Sequence, residues 1–478
     1  MTAAVADPND RWFFGHPRPL AYLAFTEAWE RFSYYGMTAL LVLYMTKQLL
    51  LPGHMEHIVG FGVARSFFEH TYGGGKAMTV VALASAIYGF YASTVYLTPT
   101  LGGLLADWVL GRTWTIILGA CLMAMGHFLM AFDASFLGAL TCLMLGSGCL
   151  KGNLAAQIGG LYGETDNRRA DAFQIYYLGI NGGVIFGPLV TGLLGTNFGW
   201  HFGFGAAGVG MLVSLAIYLS GRKYLPPDAP RGAAARAAAK AQAAPMTGRD
   251  WQVLSLLLLL LPVLAVSIVG NNQIQNAYLI WADKSADLHF LGIPVPTPTL
   301  VSVDSIVSVA TIALMVWFWR AWAKRFKEPD ELGKIVIGCL FGALGVACLA
   351  LGAELTPAGH KVSFLWLLAF HLLNDIGFAN VLPVGLAFYA RAAPKAAAGA
   401  IVGVYYLHLW AGNTLVGYLG GKFDKMPADQ FWWLHAGLVA GAGVVFLVVW
   451  MVFGRLLRHE PTHLDAATVV AADAGETP

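Results

Sequence analysis

Long apolar stretches recur along this chain, and short polar segments separate them. A helix that crosses the hydrocarbon core of a bilayer needs roughly 20 apolar residues. Twelve stretches meet this criterion, at about residues 20–48, 77–106, 113–131, 136–160, 170–197, 201–220, 250–282, 300–322, 333–353, 363–390, 398–420 and 431–454. The pattern therefore predicts an all-α polytopic membrane protein with twelve transmembrane helices.

The composition supports this class. The 478 residues are 57% hydrophobic and 12% charged, with a mean hydropathy of +0.62, whereas a soluble protein carries about 25% charged residues. The polar segment up to Pro19 lacks the apolar core of a signal peptide, so we expect no cleaved signal. The five cysteines all lie in apolar stretches, which favours a packing role over a disulfide framework or a metal site.

Basic residues outside the predicted spans lie mostly in alternate connecting segments. This distribution satisfies the positive-inside rule if both termini are cytoplasmic. The segment 221–249 is basic, rich in alanine and proline, and not apolar enough to cross a membrane. We therefore predict a six-helix bundle in 1–220, a cytoplasmic linker in 221–249 and a second six-helix bundle with a short cytoplasmic tail in 250–478. The inner or plasma membrane is the expected location.

Four charged residues interrupt this apolar pattern. Glu27, Glu30 and Arg31 lie in the first predicted span, and Lys151 lies in the fourth. An ionised residue at the centre of a lipid-facing helix costs roughly 2.5–3.5 kcal/mol. Two acids and two bases can neutralise one another in the protein interior, and a single proton would then unbalance the set. The residues thus favour a proton-coupled carrier; the alternative is a buried ion pair that only fixes helix register.

The first span also carries polar groups on the same side as its charges. At 100° per residue, the charged positions and Tyr34, Tyr35 and Thr38 fall within about 140° of arc. A phenol combines a hydroxyl with an apolar ring, which suits a small polar ligand of variable side chain. Each tyrosine has the alternative role of packing residue or interfacial anchor.

Several motifs along the chain resemble those of one family. The first span reads E-x-x-E-R-F-x-Y-Y-G from Glu27, and the second continues from Tyr96 as YLTPTLGGLLADWVLGR. GSGCLKGN surrounds Lys151, FQIYYLGINGG lies in the fifth span, and LPVGLAFYARAAP in the tenth. Together they resemble the proton-dependent oligopeptide transporters, a branch of the major facilitator superfamily. The resemblance implies a major facilitator-type fold of two six-helix halves, alternating access, and symport of protons with small peptides without a cofactor.

The motifs, the polar residues of the spans and the departures described below together give expected roles for individual residues. The expected proton-coupling group is Glu27, Glu30, Arg31 and Lys151. The expected substrate-binding group is Tyr34, Tyr35, Thr38, Tyr96, Tyr177, Asn181, Asp304, Asp375, Phe378 and Trp410. Asp107 and Arg112, between the second and third spans, are candidates for a cytoplasmic gate, with ordinary charges at helix ends as the alternative.

Departures from the family pattern concern the substrate. The family commonly has an arginine two residues after the glycine of YYG, where this chain has Thr38. The tenth-helix glutamate that holds the peptide amine is replaced by Phe378. We hypothesise that Asp375, one turn before Phe378, supplies the missing negative charge, either alone or together with Asp304. The alternative is a structural hydrogen bond between Asp375 and His371.

The leading hypothesis is therefore a proton-coupled importer of di- and tripeptides that works as a monomer in membrane lipid. A second hypothesis keeps the coupling but changes the substrate to another small carboxylate or amino-acid-like metabolite. A third is a sensor that binds without transporting. Glycine-rich stretches such as GGVIFG lie within predicted spans, which argues against a nucleotide site. We see no enzyme constellation and expect no metal, cofactor or nucleic-acid partner.

Overall fold

The computed structural model of the protein describes residues 10–163, 166, 168–228, 246–394 and 398–457. This part of the chain is almost entirely helical. Its helices are α1 (Arg18–Tyr44), α2 (Phe61–Thr71), α3 (Val80–Leu105), α4 (Arg112–Leu129), α5 (Phe136–Gly159), α6 (Arg168–Phe198), α7 (Trp200–Gly221), α8 (Gly248–Ser267), α9 (Val269–Asn272), α10 (Ala277–Ser285), α11 (Leu300–Trp322), α12 (Glu331–Leu355), α13 (Phe364–Ala392), α14 (Ala398–Gly420) and α15 (Ala428–Leu457). A small hairpin of β1 (His289–Phe290) and β2 (Ile293–Pro294) precedes α11.

Helical structure occupies all twelve positions predicted from the apolar pattern. Ten long helices in the described residues are apolar enough to cross a membrane. The remaining two positions are those of α1, whose middle carries three charged residues, and α14. Local signals set several boundaries: Pro19 lies in the first turn of α1, and Thr247 and Asp250 form a capping box at the start of α8. The expectation of an all-α polytopic protein is confirmed.

The seventh predicted span, 250–282, is not one helix, contrary to the prediction. α8 ends at Ser267, and the chain continues through α9 and a short 3-10 turn to α10. Asn276, at the start of α10, has φ −129° and ψ −109°, outside the helical region. The backbone N–H of Ala277 donates to the Gln273 side chain at 3.3 Å. Amide side chains compete with helical backbone bonds, so the amide-rich run GNNQIQN interrupts the helix.

Helices pack closely within each of two parts of the chain, α1–α7 in the first part and α8–α15 in the second. In the first part, α1 packs on α6 and α7, α5 packs on α3 and α4, and α4 also contacts α7. In the second part, α12 packs on α13 and α15, while α8 contacts α14 and α15. Small residues permit these approaches: a Cβ on Gly183 would stand 2.3 Å from the carbonyl oxygen of Ala28. The α1–α6 interface therefore depends on glycine at this position.

Two helix–helix interfaces make extensive contact between the first part and the second. α3 meets α14 where Gly89 faces Gly417, and a Cβ on Gly89 would lie 2.5 Å from the Gly417 Cα atom. α6 meets α11 where the Ser302 hydroxyl donates to the Ile185 carbonyl at 2.6 Å. Residues 1–9, 229–245 and 458–478 lie outside the described residues. The predicted division at 221–249 and the positions of the termini therefore stay predictions.

Candidate functional site

A cavity of about 370 Å³ lies between the two parts of the chain. Residues of α1, α3, α5 and α6 form one wall, and residues of α9, α11, α13 and α14 contribute to the other. Ligand sites for small molecules commonly enclose about 300–1,000 Å³. The cavity therefore has the size of a site for a small organic ligand.

The first wall holds the predicted charge cluster. On α1, the Arg31 guanidinium reaches Glu27 Oε1 at 2.5 Å from Nη2 and 2.6 Å from Nε. Its Nε atom also lies 3.1 Å from Glu30 Oε2. Glu27 and Glu30 are 0% exposed and Arg31 is 5% exposed. Among the described residues neither Glu30 oxygen has a hydrogen-bond partner, so Glu30 is the less well satisfied of the two acids.

Lys151 joins this wall from α5. It is 6% exposed, and its Nζ atom lies 4.4 Å from the centroid of the Tyr34 ring and 5.7 Å from that of Tyr96. These distances fit cation–π contacts. Within the described part of the chain, Lys151 forms no ion pair, although it interacts electrostatically with Glu30 and Glu27. The lysine therefore presents its ammonium group to the cavity beside the glutamate–arginine cluster.

The second wall carries an acid that contacts a buried histidine, which is itself bonded to a buried tyrosine. Asp304 on α11 lines the cavity and keeps 18% of its side chain exposed. His371 on α13 is fully buried, and its Nδ1 atom lies 2.8 Å from Asp304 Oδ1. Its Nε2 atom lies 2.8 Å from the Tyr278 hydroxyl on α10. Asp304 thus faces the cavity while a hydrogen-bonded chain fixes it from behind.

The structure places Asp375 differently from the sequence hypothesis. Its carboxyl is 1% exposed, is bonded by Asn374 at 3.4 Å, and is absent from the cavity lining. The predicted alternative, a hydrogen bond between His371 and Asp375, does not form in the structure, because the imidazole is already bonded to Asp304 and Tyr278. The acid that reaches the cavity from this wall is therefore Asp304.

The other predicted binding residues divide into two groups. Those that line the cavity are Tyr34, Tyr35, Tyr96, Tyr177, Asn181 and Phe378. Thr38 lies outside the lining and its hydroxyl donates to the Tyr35 carbonyl at 3.2 Å. Trp410 is also outside it, 40% exposed beside a separate crevice. The neighbouring Leu409 does face the cavity, and a rotation of about 100° per residue turns Trp410 away from it.

Sequence reasoning missed several polar residues of the lining. They are Tyr88, Thr100, Asn271, Asn272, Gln275, Ser305, Ser308, Tyr406 and Asn413. Asn271 and Asn272 form the end of α9, and Gln275 lies in the 3-10 turn that follows it. The run GNNQIQN was the available signal, since amides that break a buried helix favour a place beside a polar cavity.

The predicted gate residues form no ion pair with each other. Asp107 is exposed in the turn after α3, and Arg112 begins α4. Charges instead meet at the opposite end of the helices, where Lys47 Nζ lies 2.6 Å from Asp283 Oδ1. The Thr297 hydroxyl donates to the same oxygen at 2.8 Å. This contact joins the chain after α1 to α10, and its 236-residue separation left no local signal in the sequence.

The same end of the molecule is tightly packed. We call it the closed end and define it by Lys47, Asp283, Gly89 and Gly417. The Tyr88 hydroxyl there lies 3.4 Å from its acceptor, Oε1 of Gln275. The lining extends in the other direction, to residues Thr100 and Gly403. The cavity therefore lies beyond the closed end, towards the opposite ends of α3 and α14.

Comparison with known proteins identifies the family. A family model described as the POT family matches residues 113–246 and 248–434, more than half of the chain. The chain belongs to the POT family. This confirms the resemblance inferred from the sequence motifs.

Relatives of this POT protein are found in bacteria. It is 28% identical to a peptide transporter of Yersinia enterocolitica, over 94% of this chain and 97% of the relative. It is 27% identical to a di-/tripeptide transporter of Lactococcus lactis, over 92% of this chain and 96% of the relative. These relatives are transporters, so the expectation that the chain is not an enzyme is confirmed.

Solved structures of POT transporters share the fold. A crystal structure of a POT peptide transporter with sulfate has a TM-score of 0.81 and 25% identity, and the match covers 95% of this chain and 98% of that one. A POT transporter with 5-aminolevulinic acid has a TM-score of 0.74 at 21% identity, and the match covers 92% of this chain and 97% of that one. The second likeness concerns the fold alone. The POT protein is therefore an integral membrane protein with the predicted major facilitator-type fold.

We predict that the Lys47–Asp283 ion pair helps to hold the closed end together. Lys47→Glu places two negative charges side by side and should widen this end, and adding Asp283→Lys should restore it. Pulsed electron paramagnetic resonance between labels on the exposed residues Leu51 and Leu291 measures the separation. Arg65→Glu is the control, since Arg65 pairs with Glu69 inside α2 at 2.9 Å. Unchanged distances in Lys47→Glu, or equal changes in the control, would contradict the prediction.

Proposed function

We propose that this POT protein is a proton-coupled symporter that imports di- and tripeptides. The observation that carries the proposal is the opposition of charges across the cavity. Arg31 and Lys151 line one wall, and Asp304 lines the other. A short peptide is a zwitterion, so its carboxylate suits the first wall and its ammonium suits the second. The names of the relatives, a peptide transporter and a di-/tripeptide transporter, support the same substrate class.

Glu30 is the residue that we propose accepts the transported proton. It lies beside Arg31 but lacks a hydrogen bond within the described residues, whereas Glu27 receives a short bond from the guanidinium. Protonation of Glu30 removes one negative charge from a neutral group of four. Arg31 or Lys151 then has an unbalanced positive charge, which a peptide carboxylate neutralises. Proton and substrate therefore strengthen each other's binding, as linkage requires of two ligands that favour one state.

Alternating access supplies the transport step. Carriers of this fold bind substrate between two halves and expose the site to each side in turn. With both termini cytoplasmic, as predicted, the closed end faces outward and the cavity extends towards the cytoplasm. The membrane potential contributes roughly 2.3 kcal/mol per charge per 100 mV, so it would drive net positive entry. We further propose that the protein acts as a monomer and needs no cofactor, because the proton gradient supplies the free energy.

A second candidate substrate is another small carboxylate that carries an amine. Thr38 and Phe378 occupy positions where the family commonly has an arginine and a glutamate, so two usual peptide contacts are absent. One structural neighbour was crystallised with 5-aminolevulinic acid, an amino-acid-like metabolite. The charges of Lys151 and Asp304 suit that class as well. A sensor that binds without transporting is the third candidate.

Uptake into proteoliposomes separates these functions. We expect a labelled dipeptide to accumulate when the outside is more acidic than the inside, and excess dialanine or trialanine to compete with it. Binding without accumulation would favour a sensor. Accumulation of 5-aminolevulinic acid that neither peptide inhibits would favour the second candidate and overturn the peptide proposal.

Two variants test the proton-coupling group. Glu30→Gln mimics a permanently protonated acid and should abolish proton-driven accumulation, while exchange of labelled for unlabelled dipeptide is retained. Lys151→Ala should also lower accumulation, since the charge set loses a base. Initial uptake with and without a pH gradient measures both effects. Glu56→Gln is the control, because Glu56 is exposed and bonds a loop N–H at 2.8 Å. Normal concentrative uptake by Glu30→Gln would remove this residue from the mechanism.

A further inference from the structure

A second titratable cluster lies in the wall opposite Glu30. It consists of Asp304 on α11, His371 on α13 and Tyr278 on α10, joined by two contacts of 2.8 Å. His371 and Tyr278 are completely buried, and only Asp304 reaches the cavity. The proton-coupling group described above uses none of these side chains. A buried histidine bonded to a cavity-facing acid therefore offers a second place for a proton.

The geometry restricts the histidine to two states. Because ionised Asp304 can only accept hydrogen bonds, Nδ1 of His371 carries a hydrogen in both states. In the neutral ring, Nε2 accepts from the Tyr278 hydroxyl. In the protonated ring, Nε2 donates to the same oxygen, since a hydroxyl can act in either role. The cluster can thus gain or lose one proton without breaking either contact.

The surroundings place few other charges near this cluster. Helices α11 and α12 pack against α13, and α8, α9 and α14 also contact it. Asp375 in the same wall interacts electrostatically with both Asp304 and Tyr278, and Tyr35 on the far wall interacts with Asp304. In the described residues, no lysine or arginine forms an ion pair with Asp304 or Asp375. The bases Arg31 and Lys151 lie on the far wall of the cavity. Asp304 therefore has one protein cation available at close range, protonated His371.

We propose that Asp304 is an exchange site that pairs either with the ammonium group of a substrate or with a proton held on His371. The inference rests on the proposed function, in which the substrate amine approaches Asp304. Two cations compete for one carboxylate: when an ammonium occupies Asp304, the positive imidazolium behind it loses its compensation and releases its proton. Substrate binding thus releases a proton at this wall, whereas it favours proton uptake at Glu30.

Substrate binding would then favour proton uptake at the first wall and proton release at the second wall. A peptide with a free amine engages both walls, while an N-acetylated peptide carries no ammonium and engages only the first. The class of ligand recognised at Asp304 is accordingly a primary ammonium group. The site makes the proton balance of binding depend on whether the substrate carries that group.

Calorimetry tests the exchange directly. Binding of dialanine to the purified full-length protein is measured near pH 6 in buffers of different ionisation enthalpy, which yields the protons exchanged per ligand. In His371→Asn the amide can still donate to Asp304 but cannot hold the extra proton. We expect the wild-type protein to release more protons than this variant, by up to one per dialanine. With N-acetyl-dialanine the two proteins should exchange the same number.

Matched variants exclude indirect effects. His435→Asn is the control, since His435 is a buried histidine of the same half whose ring contacts Gln273 and the Phe431 carbonyl but no carboxylate. It should match the wild-type proton count. His371→Gln places an amide near the Nε2 position and serves as the second variant if His371→Asn does not fold. Asp304→Asn should weaken dialanine binding by more than tenfold and abolish the difference between free and acetylated peptides.

The outcomes separate this inference from the proposed function. Equal proton exchange by the wild type and by whichever His371 variant folds, with dialanine still bound, would overturn the exchange site and leave peptide transport intact. Failure of the wild-type protein to bind or accumulate dialanine would overturn the peptide proposal and this inference with it.

Discussion

Proton-coupled transport by this protein depends on a compact set of opposite charges held away from water. Glu27, Glu30 and Arg31 are pinned together on one helix, with Arg31 within 3.1 Å of both acids. Lys151 lies in the same wall, and its ammonium group contacts the ring of Tyr34 instead of forming an ion pair with either glutamate in the described structure. Such a group is poor as a source of stability, because removing charges from water costs more than their attraction commonly returns. Its value is functional: a neutral set in a low dielectric responds strongly to one added proton.

The broken seventh span shows how the fold gives the cavity its polar surface. In a continuous helix the backbone N–H and C=O groups would bond to one another, and side chains would project at regular intervals. The amide-rich run after α8 instead ends the helix, and residues such as Asn272 and Gln275 line the cavity. Irregular backbone is tolerated at membrane depth where it borders a cavity or is buried in protein. Asn276 bonds the Val416 carbonyl at 3.3 Å and ties the interruption to α14.

Much of the fold was predictable from the sequence because its main constraint is local. The bilayer demands long apolar helices, so apolar length alone located all twelve spans. The charge cluster on α1 was predictable for the same reason, since the spacing of Glu27 and Arg31 fixes their contact within one helix. The features that the sequence did not predict correctly, or did not predict at all, depend on contacts between residues far apart in the chain. Whether Asp304 or Asp375 reaches the cavity depends on the rotation of α11 and α13, and the Lys47–Asp283 contact depends on how two parts of the chain meet. The orientation of Trp410 away from the cavity likewise follows from helix packing.

The central claim is that Glu30 takes up a proton inside this charge set when a peptide binds. Infrared difference spectroscopy reports a protonated buried carboxyl directly, through its carbonyl stretch. We expect that adding dialanine to the wild-type protein at mildly acidic pH produces this band, and that Glu30→Gln lacks it while still binding dialanine. The same band in Glu30→Gln, with unchanged intensity, would contradict the account.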